Sequence, residues 1–461
     1  MKGVFVVGAG PAGMFAARQV ALAGFDVFLF NRDIKPGGLA EYGIYPVKDK
    51  MKFGLRKQFA QVLSLPNMHY FGHVRVGDGY ELTLSDLEAM RPAAIIYACG
   101  AQGAGKLGLP GEDAKGVYAA KDFVYHYNQL PPYASMDFST GKRTAIIGQG
   151  NVAIDISRWL LKDDPNRKTE NVLVIARRGP LEIKADQKEI AYTDQHISRQ
   201  ELIAELARVS ERCAKCGQDV SPEKVFELHF RHLLDPNFTS VDPRLSFRFL
   251  SSPTAILKDA NGRISQIEVS ENDFVLRNGA TVAVPTKEKV TLDVDTLIFA
   301  IGDKHDTKLG LPMGPDGYST EPDAAHPNDP HFEVWDPESK HVIPGRYVVG
   351  WARRASTGLV GIARHDGEVG ASKAIEFVKS AADTGTMNEG EVLAVLEDKG
   401  LRIVTKSDLA LLGAAEELEA QQRHLTSFKF SDDEAMFNAI AVAKQRLNSE
   451  QGDERGVIPA S

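Results

Sequence analysis

Two glycine-rich fingerprints, each joining a short apolar strand to an apolar-periodic helix, constrain this chain more than any other feature. The first is GAGPAG at residues 8–13, after the apolar run 4–7, and the second is GQGNVA at residues 148–153, after the run 144–147. In such a motif one glycine makes the tight turn, the next lets a pyrophosphate approach the backbone, and a third small residue lets the helix pack closely. The helix N-terminus then directs N–H groups at the phosphates. Two motifs on one chain predict two dinucleotide-binding folds.

The glycines of these motifs are the first candidate binding residues, and proline at the first helical position fits the start of a helix. The candidates from the fingerprints are Gly8, Gly10, Pro11, Gly13, Gly148 and Gly150.

The residue after the second strand of each fold is expected to contact the adenosine ribose. The strand 26–30 ends at Asn31, where an acid normally binds the ribose hydroxyls, and an amide binds one more weakly than a carboxylate does. The strand 172–175 is followed by Arg177 and Arg178, with no acid. Because arginines bind a 2′-phosphate that a carboxylate would repel, the second fold is predicted to prefer NADP(H), with NAD(H) left open. The alternative is a solvated basic turn.

Length and composition set the class of protein. A chain of 461 residues with 43% hydrophobic and 25% charged residues suggests two to four ordinary globular domains. The net charge of −8 argues against nucleic-acid binding, and no apolar run is long enough for a membrane span. The chain enters its first strand at once, which leaves no room for a signal peptide. Three cysteines provide no disulfide framework, so a cytoplasmic protein is expected.

The order of the segments predicts an α/β protein with two Rossmann-like, three-layer dinucleotide-binding domains. The first is discontinuous, residues 1–108 plus about 335–461, with a helical extension from about 416. The second comprises residues 109–334. Strand-like runs at 245–250, 264–269, 281–284 and 290–294 predict an antiparallel excursion within it.

Five motifs together resemble the adrenodoxin reductase and bacterial ferredoxin–NADP reductase family of flavoproteins. They are GAGPAG, GQGNVAID, ARRGPL at 176–181, IGDK at 301–304 and GWARRASTGLV at 350–360. The resemblance runs from about residue 4 to about residue 413. It departs from the family at Asn31, where the family has glutamate, at the shorter loop 42–48, and at 225–244, near the basic ferredoxin-docking region of mitochondrial members.

The resemblance implies a glutathione-reductase-like fold, with FAD in the first domain and NADP(H) in the second. The residues implied for FAD are Ala12, Leu39, Val74, Trp351, Gly358, Leu359 and Val360. Their positions in the chain add Asn31, Gly38 and Gly350 as further candidates for the same site. Those implied for NADP(H) are Gln149, Gly150, Asn151, Val152, Arg177, Arg178, Glu189 and Gly358.

The predicted function is therefore electron transfer between NADPH and an iron–sulfur protein, as in ferredoxin–NADP reductase. Hydride transfer needs orientation rather than an acid or base, so the only catalytic side-chain candidate, Asp155, is a weak one. The main alternative is the flavin subunit of a larger iron–sulfur oxidoreductase. The tail 416–461 favours it, because apolar residues such as Met436 and Ile440 lie there among charged ones. Either a monomer or a subunit of a hetero-oligomeric redox complex is consistent with the sequence, and the partner is a ferredoxin or an iron–sulfur subunit. A non-catalytic nucleotide sensor is a further alternative.

The cysteine and histidine pairs leave two weaker alternatives open. Cys213 and Cys216 form the only closely spaced cysteine pair, which a disulfide reductase would need beside its flavin. With His229 and His232 they have a spacing that could form a zinc site. We favour the interpretation without a metal, in which the cysteines are two thiols at a helix end and the histidines lie on a helix.

Overall fold

The computed structural model describes residues 2–315, 317–321, 331–355 and 360–454. The described residues fall into two compact units. Unit 1 comprises Met1–Gly103, Tyr125–Met136 and Asp303–Ser461, and unit 2 comprises Ala104–Val124 and Asp137–Gly302. Unit 1 thus resumes at Asp303, ahead of the predicted boundary at about 335, and it also includes the segment 125–136.

Both units consist of strands and helices of varied length. The strands are β1 (Gly3–Val7), β2 (Asp26–Asn31), β3 (Met68–Gly72), β4 (Ala94–Tyr97), β5 (Gly103–Ala104), β6 (Val117–Ala119), β7 (Arg143–Ile147), β8 (Asn171–Ile175), β9 (Leu245–Arg248), β10 (Ser251–Lys258), β11 (Ile264–Arg277), β12 (Ala280–Asp293), β13 (Thr296–Phe299), β14 (Asp303–Lys304), β15 (Glu333–Asp336) and β16 (His341–Val348). The helices are α1 (Pro11–Leu22), α2 (Leu39–Tyr42), α3 (Asp49–Leu63), α4 (Leu84–Ala89), α5 (Ala120–Tyr127), α6 (Asn151–Arg158), α7 (Gln187–Ile190), α8 (Arg199–Ala214), α9 (Pro222–His229), α10 (Val360–Ser380), α11 (Glu389–Asp398), α12 (Lys406–Gln422) and α13 (Asp433–Glu454).

Unit 1 is built on a sheet whose strand order is β15-β16-β4-β1-β2-β3. Every pairing is parallel except the edge pair β15–β16. Because strand side chains alternate between faces, Val4 and Val6 face helices α1, α3 and α10, whereas Phe5 and Val7 face α4 and α11. Helices on both faces of a parallel sheet make three layers, which confirms the predicted fold class.

Residues 401–454 belong to unit 1 and pack beside its strands β2 and β3. Val404 forms an antiparallel bridge to Gly72 at the end of the edge strand β3. Leu412 of α12 and Met436 and Ile440 of α13 bury against Ile34, which follows β2. This C-terminal segment (residues 401–454) is therefore tied to the region just beyond the second strand.

Unit 2 contains a parallel sheet with the strand order β6-β13-β7-β8-β9. A second sheet, the antiparallel β10-β11-β12, packs on one face of it through apolar side chains such as Ile267 and Val269. The prediction of the antiparallel excursion was wrong in two details. The run 245–250 forms β9, a parallel edge strand, and the two later runs are parts of the single strand β12. The register between β11 and β12 shifts between Ser270 and Asn272, so the two predicted runs lie on either side of an irregularity in one strand.

Among the residues that the structure describes, no helix is both long and apolar enough to cross a membrane.

Candidate nucleotide-binding sites

The first fingerprint forms a tight turn between β1 and α1 in unit 1. Gly8 has φ of +107°, and a Cβ there would lie 2.5 Å from the carbonyl oxygen of Ala98. A Cβ on Gly13 would lie 1.8 Å from the carbonyl oxygen of Gly8, so this glycine lets α1 pack directly on the turn. Two of the predicted roles, the left-handed turn and the close helix packing, therefore follow from the backbone geometry.

Gly10 faces open space at the start of α1. A Cβ on Gly10 would meet no atom within 4 Å, and Gly10 caps the helix without a side-chain hydrogen bond. Pro11 occupies the first helical position, and Ala12 follows it. The N–H groups of a first helical turn have no partner inside the helix, so this end offers donors and room to an anion. A dinucleotide pyrophosphate fits this cradle.

The structure assigns the Asn31 side chain to holding the turn. Its Oδ1 accepts a hydrogen bond from the N–H of Ala9 at 3.0 Å, and its Nδ2 lies 2.8 Å from the oxygen of Asp33 and 3.0 Å from that of Lys35. It also lies 3.2 Å from the hydroxyl of Tyr70, and Asn31 is only 6% exposed. An amide used in this way organises the loop around the fingerprint, which the sequence motif alone did not suggest.

The other candidates in unit 1, which follow strands β2 and β3, differ in how deeply they are buried. Gly38 is in the left-handed region, with φ of +50°, and a Cβ there would lie 3.2 Å from the Cα of Gly10. Leu39 is partly buried and begins α2. The Val74 side chain is 1% exposed and belongs to the apolar core, so only its backbone is near the end of β2, where its N–H donates to the oxygen of Asn31 at 2.9 Å.

The turn after β16 packs directly on the first fingerprint. Gly350 has φ of +66°, and a Cβ there would lie 2.5 Å from the Cβ of Ala12. Its N–H donates to Oδ2 of Asp366 on α10 at 2.5 Å. The same carboxylate accepts hydrogen bonds from Arg353, whose side chain is 7% exposed and lies over the ring of Phe332 at 4.5 Å.

Trp351, in the turn after β16, and Val360, the first residue of α10, are both partly buried. The backbone oxygen of Trp351 lies 2.7 Å from Nε2 of His305. Val360 begins α10 and packs on the core beneath α1. The candidates Gly358 and Leu359 lie outside the described residues.

The second fingerprint repeats this geometry in unit 2. Gly148 has φ of +126°, and a Cβ there would lie 2.2 Å from the carbonyl oxygen of Ala300, at the end of the neighbouring strand β13. A Cβ on Gly150 would meet nothing within 4 Å, and Gly150 caps α6 without a side-chain bond. Ala153, the third small residue, is fully buried. This site also fits a dinucleotide pyrophosphate.

The amide side chains beside Gly150 differ in their contacts. Asn151 is engaged with Asp186: its Nδ2 donates to a carboxylate oxygen at 2.9 Å, and its Oδ1 accepts the Asp186 N–H at 2.7 Å. Gln149 donates from Nε2 to the oxygen of Glu182 at 2.9 Å, whereas its Oε1 is buried without a hydrogen-bond partner among the described residues. A buried acceptor without a donor is costly, so Oε1 is a candidate contact for a bound ligand.

The arginine pair follows β8, the strand beside the second fingerprint. Both Arg177 and Arg178 are exposed, and no carboxylate in the described part of the chain pairs with either guanidinium. The backbone oxygen of Arg177 accepts a hydrogen bond from Asn272, and that of Arg178 accepts the N–H of Leu250, so the turn itself is held in place. Two cations on a fixed turn are available for an anionic group.

The remaining unit 2 candidates lie on short helices. Val152 is 46% exposed in the first turn of α6, and Asp155 is partly buried one turn further along. Glu189 is partly buried in α7. Asp155 therefore stays a candidate from the sequence alone.

The fold does not bring the zinc candidates Cys213, Cys216, His229 and His232 into one metal-binding group. No group of three or more His, Cys, Asp or Glu residues suitable for a metal occurs in the described residues. Cys213 is fully buried on α8, and Nδ1 of His232 pairs with Asp194 at 2.8 Å. Burial raises the pKa of Cys213 to about 12, so its thiolate is scarce at neutral pH. Matching spacing in sequence did not place the two pairs at one point.

Comparison with known proteins gives one family. Residues 2–218 match the family model described as pyridine nucleotide-disulphide oxidoreductase. The chain is 30% identical over 412 residues to NADPH-ferredoxin reductase FprA of Mycobacterium leprae, covering 83% of this chain and 85% of that protein. It is 28% identical over 453 residues to the mitochondrial NADPH:adrenodoxin oxidoreductase of Salvelinus fontinalis, covering 91% and 87%.

A solved structure agrees with these sequence matches. FprA from Mycobacterium tuberculosis, as its His57Gln mutant, superposes with a TM-score of 0.78 at 25% identity over 96% of this chain and 99% of that chain. The predicted family is therefore confirmed, and the chain belongs to the family of NADPH-ferredoxin reductase FprA and the NADPH:adrenodoxin oxidoreductases.

Proposed function

We propose that this chain is a flavoprotein reductase that carries electrons from NADPH, through FAD, to a ferredoxin or another iron–sulfur protein. The observation that carries the proposal is the pair of open glycine cradles, at Gly10 and at Gly150, one in each unit. The names of the relatives, NADPH-ferredoxin reductase and NADPH:adrenodoxin oxidoreductase, support the choice of donor and acceptor. A cytoplasmic location and a monomeric or hetero-oligomeric state are part of the proposal.

Unit 1 is the proposed FAD site. The N-terminus of α1 would bind the pyrophosphate. Gly38 and Gly350 let two further turns lie close to this helix N-terminus, beside Gly10 and Ala12. When bound, FAD accepts two electrons from NADPH and releases them one at a time, which suits a one-electron iron–sulfur acceptor. The role of the chain is to bind FAD and to orient it. Asp366 would contribute indirectly, because it accepts the Gly350 N–H and so fixes that turn.

Unit 2 is the proposed NADPH site. The N-terminus of α6 would bind the pyrophosphate at Gly150, and Gln149 Oε1 is available to a donor on the ligand. Arg177 and Arg178 would bind the 2′-phosphate through charge-assisted hydrogen bonds. The predicted limits near residues 108 and 335 are kept in this proposal as approximate bounds of the NADPH-binding segment.

The disulfide-reductase alternative loses support from the cysteines. Cys213 is buried, and its pKa is raised by burial, as is that of Cys99, the cysteine that follows β4. A redox cysteine works as a thiolate in a partly exposed, electropositive setting. The subunit alternative rested on the apolar residues of the C-terminal segment, but Met436 and Ile440 bury within unit 1.

The first test measures where electrons can leave. With NADPH, the purified protein should reduce ferricyanide rapidly, and reduction of cytochrome c should require an added acidic [2Fe–2S] ferredoxin. The physical reason is that three cysteines are too few for a cysteine-ligated cluster on this chain.

The matched control is the double variant Cys213→Ser/Cys216→Ser, which should retain ferricyanide reduction. Stoichiometric iron in the purified chain, or rapid reduction of a small disulfide that is lost in this variant, would overturn the proposal.

Gly150 and Gly148 provide a second test, because the protein leaves space for a Cβ at Gly150 and none at Gly148. Gly150→Ala should leave the melting temperature nearly unchanged, since a Cβ there meets no protein atom, and should weaken NADPH binding by about tenfold or more by crowding the pyrophosphate. Gly148→Ala is the contrast: with φ of +126° and the Ala300 oxygen 2.2 Å away, it should destabilise unit 2 itself.

Calorimetry and fluorescence titration with NADPH measure the two effects. Unchanged NADPH affinity in a folded Gly150→Ala protein would exclude this cradle as the site.

A further inference from the structure

A loop that begins just after β2 lies directly against the first fingerprint. This glycine loop (residues 35–43) contains Gly37 and Gly38, both with positive φ. The N–H of Gly37 donates to the oxygen of Ala9 at 2.8 Å, and Gly38 approaches the Cα of Gly10. Glycines in the left-handed region have little intrinsic preference for one conformation, so other contacts must fix the loop.

Two ion pairs from the C-terminal segment fix it. Nζ of Lys35, at the start of the loop, lies 2.5 Å from Oε2 of Glu416 on α12. Nζ of Lys429, between α12 and α13, lies 2.5 Å from Oε1 of Glu41 on α2. The partners are distant in sequence, since Lys35 and Glu416 are 381 positions apart. The loop is therefore tethered at both ends by a segment from the other end of the chain.

Both tethers are largely shielded from water, so removing one partner leaves a charge buried and unpaired, which costs more than breaking a surface pair does. The side chains of Glu41, Glu416, Lys429 and Lys35 are 5%, 10%, 16% and 17% exposed. Burial opposes ionisation of Glu41, but hydrogen bonds from Arg56 and the charge of Lys429 lower its pKa overall. Arg56 reaches Glu41 with two bonds of 2.7 Å, and Lys429 lies 5.1 Å above the ring of Tyr42. The carboxylate is thus held by three donors.

We propose that Lys429 and Glu416 are positioning residues of the dinucleotide site in unit 1, holding the glycine loop against the first fingerprint so that FAD is retained. This inference rests on the proposed FAD site. It gives the C-terminal segment a role within that site, through Lys429 on Glu41 and Glu416 on Lys35. Neither residue contacts the cofactor in this proposal, because each acts through the loop.

The C-terminal segment offers a matched control. Lys444 on α13 pairs with the buried carboxylate of Asp408 at 2.6 Å, so removing its charge also breaks a lysine–aspartate pair of the segment. Asp408 caps α12 through Thr405 and makes no contact with the glycine loop among its described hydrogen bonds. Replacing either Lys429 or Lys444 should therefore lower the stability of the protein. Only the replacement of Lys429 should also disturb the position of the glycine loop.

The experiment follows release of FAD from the holoenzyme by the rise in flavin fluorescence on dilution, together with thermal unfolding. Lys429→Met should raise the FAD dissociation constant by about tenfold, which corresponds to about 1.4 kcal/mol, and Lys35→Met/Lys429→Met by more. Lys429→Arg should restore most of the affinity, because it keeps the charge. Lys444→Met should leave FAD affinity within about twofold of wild type.

The outcomes separate two claims. Equal FAD retention by Lys429→Met and wild type, or equal weakening by Lys429→Met and Lys444→Met in step with their unfolding temperatures, would overturn this inference alone. A wild-type chain that holds no FAD would overturn the proposed function and this inference with it.

Discussion

Asp366→Ala should lower the free energy of unfolding by about 3–5 kcal/mol, because it leaves a buried guanidinium without its carboxylate. Arg353 is 7% exposed, bonds Asp366, and stacks over Phe332, so it cannot simply turn into water. The substitution also removes the acceptor of the Gly350 N–H, which holds a left-handed turn against Ala12. Denaturant unfolding of the apo and FAD-bound protein measures both effects.

The same helix provides the control. Glu368 pairs with Arg364 one turn along α10, but that arginine side chain is 46% exposed. An exposed pair at this spacing contributes about 0.3–0.5 kcal/mol, so Glu368→Ala should be close to neutral. A loss of less than about 1 kcal/mol in Asp366→Ala would mean that the buried pair does not stabilise this turn.

Arg177→Ala/Arg178→Ala should weaken NADPH binding by at least about tenfold, because two charge-assisted contacts to a 2′-phosphate contribute about 2–4 kcal/mol. NADH lacks that phosphate, so its affinity should change little. Both side chains are exposed on a turn held by Asn272 and Leu250, so the fold should tolerate the change. Steady-state kinetics with both coenzymes and ferricyanide as acceptor give the ratio.

An equal loss of charge elsewhere in unit 2 controls for long-range electrostatics. Lys287→Ala/Lys289→Ala removes two exposed cations from β12 and should leave the NADPH to NADH ratio unchanged. A wild-type preference for NADH, or an equal loss for both coenzymes in the arginine variant, would show that the arginine pair serves another purpose.

The sequence by itself determined the parts of this protein that depend on neighbouring residues. The tight turn at Gly8, the packing glycine Gly13 and the open positions Gly10 and Gly150 all follow from backbone sterics within six-residue motifs. The family and the α/β class followed from the same motifs. The exposed cations at Arg177 and Arg178 were predictable because the end of a buried strand fixes where the next residues lie.

Only the tertiary structure decided what depends on residues far apart in the chain. Asn31 stays a predicted ribose contact, and only the fold shows that its amide also bonds the turn and the loop around it. The cysteine and histidine pairs had zinc-like spacing, but the fold does not bring them together. The pairs Lys35–Glu416 and Lys429–Glu41 carry no sequence signal, because each forms only when the C-terminal segment packs beside β2. Local periodicity specifies elements, whereas burial and charge pairing between distant segments are fixed only when those elements pack.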